Sequence, residues 1–191
     1  MKKYELTEET FTVFGKTLYR IRAVRDFGSV KTGEFGGYIE KEENLSHFGD
    51  AWVYGNAKVY GNAKVSGDAR VSGDARVFDN AWVYGEARVF GNAWVYGDAR
   101  VSGDAWVYGN AEVFNTRHFF VQGPIGSRDG YVTFYRTKDD TVEVRCGCFS
   151  GSLQEFVNQV EETHGGSRYE KEYKLAAELA KVCIRLEGES R

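Results

Sequence analysis

The chain has 191 residues and a formal net charge of -3; 42% of its residues are hydrophobic and 28% are charged. This composition predicts a soluble, folded protein, and the small net charge argues against binding to nucleic acid or to a membrane surface by bulk electrostatic attraction. The sequence has no apolar run of membrane-spanning length and no signal-peptide pattern, and three cysteines are too few for a disulfide framework, so we expect a cytoplasmic protein.

Residues 1–44 precede a repeat and are predicted to form its N-terminal β cap. Residues 18–23 alternate between two faces, which is typical of a β-strand. Gly33, Gly36 and Gly37 are predicted to form turns that lead into Tyr38 and Ile39. Because the open end of a strand repeat would pair with other strands, we expect this segment to cover it.

Residues 51–116 are eleven consecutive six-residue units of the form Ala-x-Val-x-Gly-Asn/Asp. Alanine opens every unit and valine is third in every unit, whereas the fifth position is glycine except at Asp79 and Asn115. Residues 45–50 form a degenerate twelfth unit with His47 at the valine position, which predicts a distorted first coil. Self-similarity at a short fixed period indicates a solenoid.

The physical chemistry of one unit predicts a parallel β-helix. Small side chains at positions one and three point inward and variable ones point outward, as in a strand. The glycine and the Asn or Asp that follow tolerate the positive φ of a corner. Three strands and three corners close an 18-residue triangular coil, so twelve units make about four coils, roughly 19 Å tall at the usual strand spacing. The narrow core should contain only alanine and valine.

This pattern resembles the hexapeptide-repeat proteins, which fold as left-handed parallel β-helices. The resemblance covers residues 45–116, and left-handedness is what it implies. It says little about function, because one fold serves many functions.

Residues 18 apart should stack in columns on the outside of the coils. Large exposed aromatic surfaces normally contact something, so we predict an oligomer or partner interface centred on one aromatic column. The alternative is that the stacked rings only stabilise neighbouring coils while the caps cover them. The predicted interface residues are Tyr60, Phe78, Tyr96 and Phe114, with Trp52, Trp82, Trp94 and Trp106 beside them or on the other faces.

A column of acidic corner residues could bind a cation, but an exposed, salt-screened corner is the preferred interpretation. The column consists of Asp50, Asp68, Glu86 and Asp104. Arginines interleaved with tryptophans could stack on nucleic-acid bases, yet these acidic corners argue against it.

Residues 117–191 are predicted to form a small α+β module. Segments 131–136 and 141–149 should make a hairpin, with Val142, Val144, Cys146 and Cys148 sharing a buried face. Ser152 should cap a helix that ends at the glycine pair 165–166. A last helix is predicted over residues 169–186, burying Tyr173, Ala176, Leu179, Ala180 and Cys183.

The sequence predicts no metal site and no cofactor. Cys146, Cys148, Cys183 and His164 are residue types that bind zinc, but one residue between two cysteines is not the usual zinc spacing, and strand cysteines are commonly core residues. A zinc hydratase of the carbonic-anhydrase type needs three converging histidines, and the three here are far apart in sequence.

An acyltransferase is the alternative that the hexapeptide-repeat resemblance implies. Such enzymes use a histidine as general base, and His118 is the one weak candidate, since the eleven units run without an inserted loop. A capping role is preferred for His118.

The chain also resembles a family of uncharacterised phage and prophage proteins from Gram-positive bacteria. The carrying segments are Thr-Leu-Tyr-Arg-Ile-Arg-Ala at residues 17–23, Gly-Gly-Tyr-Ile-Glu at 36–40, the Gly-Asn-Ala repeats, and Cys-Gly-Cys-Phe-Ser-Gly-Ser-Leu at 146–153. The resemblance implies an accessory protein in the host cytoplasm, a class that includes inhibitors of host defence such as anti-CRISPR proteins. We therefore expect a non-enzymatic protein that binds a bacterial protein and forms a dimer or trimer, with a purely structural, self-assembling β-helix as the other non-enzymatic alternative.

Overall fold

The computed structural model describes residues 2–186 and shows a β-solenoid of about four coils between two caps. The predicted fold class, a mainly β parallel solenoid with two C-terminal helices and a small antiparallel sheet, is confirmed. Its left-handedness stays an expectation from the resemblance. No helix within residues 2–186 is both long and apolar enough to cross a membrane.

An N-terminal hairpin extends one sheet of the solenoid. Strands β1 (Tyr4–Val13) and β2 (Lys16–Ala23) are antiparallel, and β3 (Phe35–Ile39) pairs antiparallel with β2. Strand β3 then pairs in parallel with the solenoid strand at Lys58–Val59. The hydrogen-bonded sheet is therefore continuous from the cap into the coils.

The solenoid itself consists of eleven two-residue strands that begin six residues apart. They are β4 (Trp52–Val53), β5 (Lys58–Val59), β6 (Lys64–Val65), β7 (Arg70–Val71), β8 (Arg76–Val77), β9 (Trp82–Val83), β10 (Arg88–Val89), β11 (Trp94–Val95), β12 (Arg100–Val101), β13 (Trp106–Val107) and β14 (Glu112–Val113).

Strands three apart pair in parallel with an offset of 18 residues, as predicted. This register creates three outer faces, which we name here. The ladder face contains β5, β8, β11 and β14; the cavity face contains β4, β7, β10 and β13; the open face contains β6, β9 and β12.

The core of the coils contains the alanines and valines of the repeat, each at most 1% exposed. The corners need glycine for two separate reasons. Gly67 has φ of +67°, and a Cβ on it would lie only 2.9 Å from the backbone nitrogen of Gly85 in the next coil. Asp79 replaces glycine at one corner and still adopts φ of 57°, so the left-handed turn does not depend on glycine alone.

Gly36 and Gly37 do not form turns; this prediction was wrong. Both lie inside β3 and are buried. A Cβ on Gly37 would lie 2.5 Å from the carbonyl oxygen of Ala57, so glycine is needed for close approach between strands. Gly33, with φ of +87°, does adopt a conformation suited to a turn.

The first coil is distorted, and its geometry differs from the prediction. Leu45, and not His47, pairs with Val65 and takes the valine position. Val53 follows Leu45 by eight residues, whereas successive valines of the repeat are six apart. His47 lies in the extra length, stacked on the Tyr4 ring at a centroid distance of 4.3 Å.

The C-terminal module is a four-stranded antiparallel sheet backed by two helices. Its elements are β15 (Phe119–Ile125), β16 (Gly130–Arg136), β17 (Val142–Cys146), β18 (Phe149–Ser152), α1 (Leu153–His164) and α2 (Arg168–Cys183). Tyr135 of β16 is fully buried against the end of the Ala/Val core, so this sheet covers the last coil.

The predicted hairpin and both helices are confirmed, with two corrections. Ser152 caps α1, and its hydroxyl accepts a hydrogen bond from the backbone of Glu155. Cys148 does not share the buried face, because it lies in the exposed turn between β17 and β18. Leu179 is 46% exposed and Cys183 is only partly buried, since α2 presents its alanines to the sheet.

Candidate binding surfaces

The aromatic column on the ladder face is a continuous stack of rings. Centroid distances are 5.1 Å between Tyr60 and Phe78, 4.8 Å between Phe78 and Tyr96, and 5.3 Å between Tyr96 and Phe114. The Tyr96 hydroxyl donates a hydrogen bond of 2.8 Å to Glu112. The rings therefore stabilise neighbouring coils, as the alternative interpretation of the sequence proposed.

The caps cover both ends of this ladder. At the first coil, Tyr60 is buried against Val13 and Leu18 of the hairpin, and burial raises the pKa of its hydroxyl. At the last coil, the Arg136 guanidinium lies 5.1 Å from the centre of the Phe114 ring. Tyr60 cannot contribute to an exposed interface, which corrects its place in the prediction, and Phe114 is partly buried.

The caps also cover two of the predicted interface tryptophans, one of them completely and the other in part. Trp52 is 0% exposed, with its ring against those of Tyr4 and Phe27, so it belongs to the core and its assignment to a surface was wrong. Trp94 is partly buried, and the Lys138 ammonium lies 4.3 Å from its ring centre. The sequence pattern of the repeat could not reveal either cover.

The open face carries the most exposed large aromatic side chains of residues 51–116. Trp82 is 42% exposed and Tyr84 is 37% exposed. Lys64 and Arg100 lie above and below Trp82 in the same column, with their cationic groups 5.2 and 5.4 Å from its ring centre. This face therefore presents an accessible cation–aromatic–cation stack.

A cavity of about 630 Å³ lies between the cavity face and the C-terminal module. Trp106, the last of the predicted interface tryptophans, lines it from the solenoid side. Neighbouring residues Arg145 and Cys146 also line it, so the cavity reaches both faces of the antiparallel sheet near the turn at Gly147. The repeat pattern gave no signal for this cavity, because it forms only where the two parts of the chain meet.

The inner wall of the cavity contains a thiol that is protected from ionisation. Burial raises the pKa of Cys146, although its hydrogen bond to the Tyr173 hydroxyl opposes this change. Burial likewise raises the pKa of Tyr173 to about 12. Gly126 makes room for this tyrosine, since a Cβ there would lie 1.9 Å from its hydroxyl oxygen. The pair is neutral at physiological pH and is not an activated nucleophile.

His118, the weak catalytic candidate, is a buried structural residue. It is 4% exposed, its ring meets Phe114 edge-on at 4.0 Å, and its Nδ1 accepts a hydrogen bond from the Phe114 backbone. Burial, together with the nearby Arg136 charge, lowers its pKa to about 4. It does not line the cavity described above.

The candidate metal ligands do not converge. Within residues 2–186, no group of three or more His, Cys, Asp or Glu side chains could hold a metal ion. In the acidic corner column, Asp68 accepts a hydrogen bond from the Asp50 backbone, which is a structural use of one carboxylate.

One family model matches the central part of the chain. The YdcK beta solenoid repeat model matches residues 69–85, 87–103 and 93–109, whose starting points are separated by one 18-residue coil and one six-residue unit. A comparison with curated proteins gave no significant match. The caps lie outside the matched residues, so the chain is similar to this repeat family over the solenoid alone.

Proposed function

We propose that the protein is a non-enzymatic binding protein whose open face contacts a protein partner. The observation that carries this proposal is the exposure of Trp82, which lies between the cations Lys64 and Arg100, and of Tyr84 in the adjacent column. No ion pair of either cation is found among residues 2–186. Tryptophan, tyrosine and arginine are the residues that most often dominate the energy of protein interfaces.

The solenoid supports this role because it holds the side chains rigidly. Each open-face strand is hydrogen-bonded to the next through the backbone. The Ser66 N–H donates to the Val83 carbonyl and the Tyr84 N–H donates to the Val101 carbonyl, both at 3.0 Å. A preorganised surface loses little conformational entropy on binding.

The resemblance to phage proteins supplies the identity of the partner in this proposal. It is a protein of a bacterial host, and a complex of host defence, such as a restriction or CRISPR effector, is the proposed target. The protein would then act by occupying a surface of that complex. This is an anti-CRISPR type of activity that requires no catalytic residue.

A quantitative pull-down from a bacterial host tests the proposal. The wild type should recover a stoichiometric partner, the Trp82→Ala/Tyr84→Ala variant should lose it, and Phe14→Ala/Phe35→Ala should retain it. The control pair is well matched because Phe14 and Phe35 are even more exposed but lie in the N-terminal cap. Absence of a stoichiometric partner, combined with no protection of phage against restriction or CRISPR interference, would refute the proposal.

Self-assembly is a second candidate, because Phe78 and Tyr96 at the middle of the ladder remain partly exposed. A light-scattering mass of a dimer or trimer that falls to the monomer mass in Phe78→Glu would support it, and a monomeric wild type would refute it. No observation favours the acyltransferase alternative, since its only candidate base is buried His118.

A further inference from the structure

We propose that the cavity between the solenoid and the C-terminal module binds a small organic anion, an apolar or aromatic body that ends in a carboxylate, phosphate or sulfonate. This ligand site is separate from the partner surface proposed above, since it lies on the cavity face. Its volume of about 630 Å³ is within the usual range for small-molecule sites.

Three arginines supply the charge for the anionic group. Arg88, Arg128 and Arg145 all line the cavity, and none of them forms an ion pair with any residue from 2 to 186. Arg145 gives the strongest evidence for an anionic ligand, because its Nε atom is buried and has no hydrogen-bond partner among residues 2–186. A buried guanidinium N–H without an acceptor is costly, and an anionic ligand would supply the acceptor.

Aromatic rings hold Arg145 in place without neutralising it. Its guanidinium lies 5.8 Å from the ring centre of Trp106 and 5.6 Å from that of Tyr108. The Arg88 guanidinium packs on the same indole at 4.8 Å. Stacking orders the two cations next to the cavity while their N–H groups stay available for an anion.

The remaining wall suits an apolar body. It is formed mainly by side chains of the module's own core, with Gln159, Thr163 and His164 at the helix side. The apolar members are Tyr131, Phe149, Phe156, Val160 and Tyr173.

Two carboxylates also line the cavity, and they limit which ligands fit. Glu86 and Asp104 belong to the acidic corner column of the solenoid. The three arginines outnumber these two carboxylates, so the formal charge of the lining is still positive. A ligand with a single compact anionic group is therefore favoured over a polyanion, which these carboxylates would repel.

A pair of fluorescent probes with the same body tests the proposal. 8-Anilinonaphthalene-1-sulfonate carries an anionic group, and N-phenyl-1-naphthylamine is the same molecule without the sulfonate. We expect saturable 1:1 binding of the sulfonate, at least about tenfold tighter than binding of the neutral probe, as a charge-assisted contact implies.

Variants separate charge from folding. Arg128→Gln/Arg145→Gln should weaken the sulfonate about tenfold and leave the neutral probe unchanged, whereas the control Arg70→Gln/Arg117→Gln, on exposed arginines outside the cavity, should change neither. Gln159→Trp should fill the cavity and weaken both probes, while Asn158→Trp, exposed on the same helix but outside the lining, should not.

Three results would overturn the proposal. They are equal affinity of the wild type for both probes, unchanged sulfonate binding in the arginine double variant, and unchanged binding of both probes in Gln159→Trp. Retained binding of the neutral probe in the arginine variant confirms that its cavity is still folded, so a loss of sulfonate binding there reports the lost charge.

Discussion

The ends and the middle of the solenoid share one repeat but differ in what surrounds it. Trp52 in the first coil and Trp82 in the third occupy the same position of their units, yet Trp52 is fully buried and Trp82 is 42% exposed. The repeat determines the backbone and the Ala/Val core in both places. The caps determine which outer side chains can reach solvent, so an interface cannot be located from the repeat alone.

The two tryptophans give the largest expected contrast. Trp52→Ala should lower the free energy of unfolding by about 3–5 kcal/mol, because it leaves a cavity among Tyr4 and Phe27. Trp82→Ala should change it by less than about 0.5 kcal/mol. Urea unfolding of the two variants measures both values, and similar losses would mean that the open face is not free.

Two arginines extend the comparison to charged residues. Arg136 is 2% exposed and pairs with Asp140 at 2.7 Å and Glu112 at 3.4 Å, so Arg136→Ala leaves two partly buried carboxylates without their cation and should cost about 3 kcal/mol. Arg100→Ala removes only an exposed contact with Trp82 and should cost less than about 1 kcal/mol. Thermal unfolding of the pair provides the measurement, and a larger loss in Arg100→Ala would contradict the comparison.

At the corner glycines we expect the opposite order, in which a substitution in the middle of the solenoid destabilises the fold more than one at its end. Gly67→Ala combines left-handed strain with a contact of 2.9 Å to the next coil and should cost about 2 kcal/mol or more. Gly103 lies at the same corner in the last coil. Its φ is +64°, but a Cβ on it would have no atom within 4 Å, so Gly103→Ala should cost only about 1 kcal/mol. Equal costs in urea unfolding would show that stacking contributes nothing.

His118 gives the last coil a dependence on pH. Its pKa falls from 6.5 to about 4 on folding, so the unfolded chain binds more protons between these values. Stability from this residue is complete above about pH 6.5 and is lost as the pH falls towards 4, by on the order of 1 kcal/mol or more. In His118→Gln, unfolding free energies should fall less between pH 7 and pH 4.5; an equal fall would rule out this linkage.

The solenoid could be predicted from the sequence because each six-residue unit contains its own strand and corner residues. The 18-residue register that joins Arg88 to Trp106 follows from three strands per coil, and it is confirmed. Leu45 was missed because a two-residue extension shifts the first coil, and the strand β15 was missed because its pattern is weak. The cavity at Arg145 could not be predicted from the sequence, since it depends on how the module docks on the last coil.

Because each coil contains three strands, the number of six-residue units determines both the distance between the two caps and their relative rotation. Deleting one whole coil, for example residues 69–86, would keep every column on its own face and bring the two caps closer by about 4.8 Å. Deleting a single six-residue unit would turn everything that follows by a third of a revolution. The C-terminal module would then dock over a different column, and the cavity would no longer form between Arg145 and the stacked pair Arg88 and Trp106.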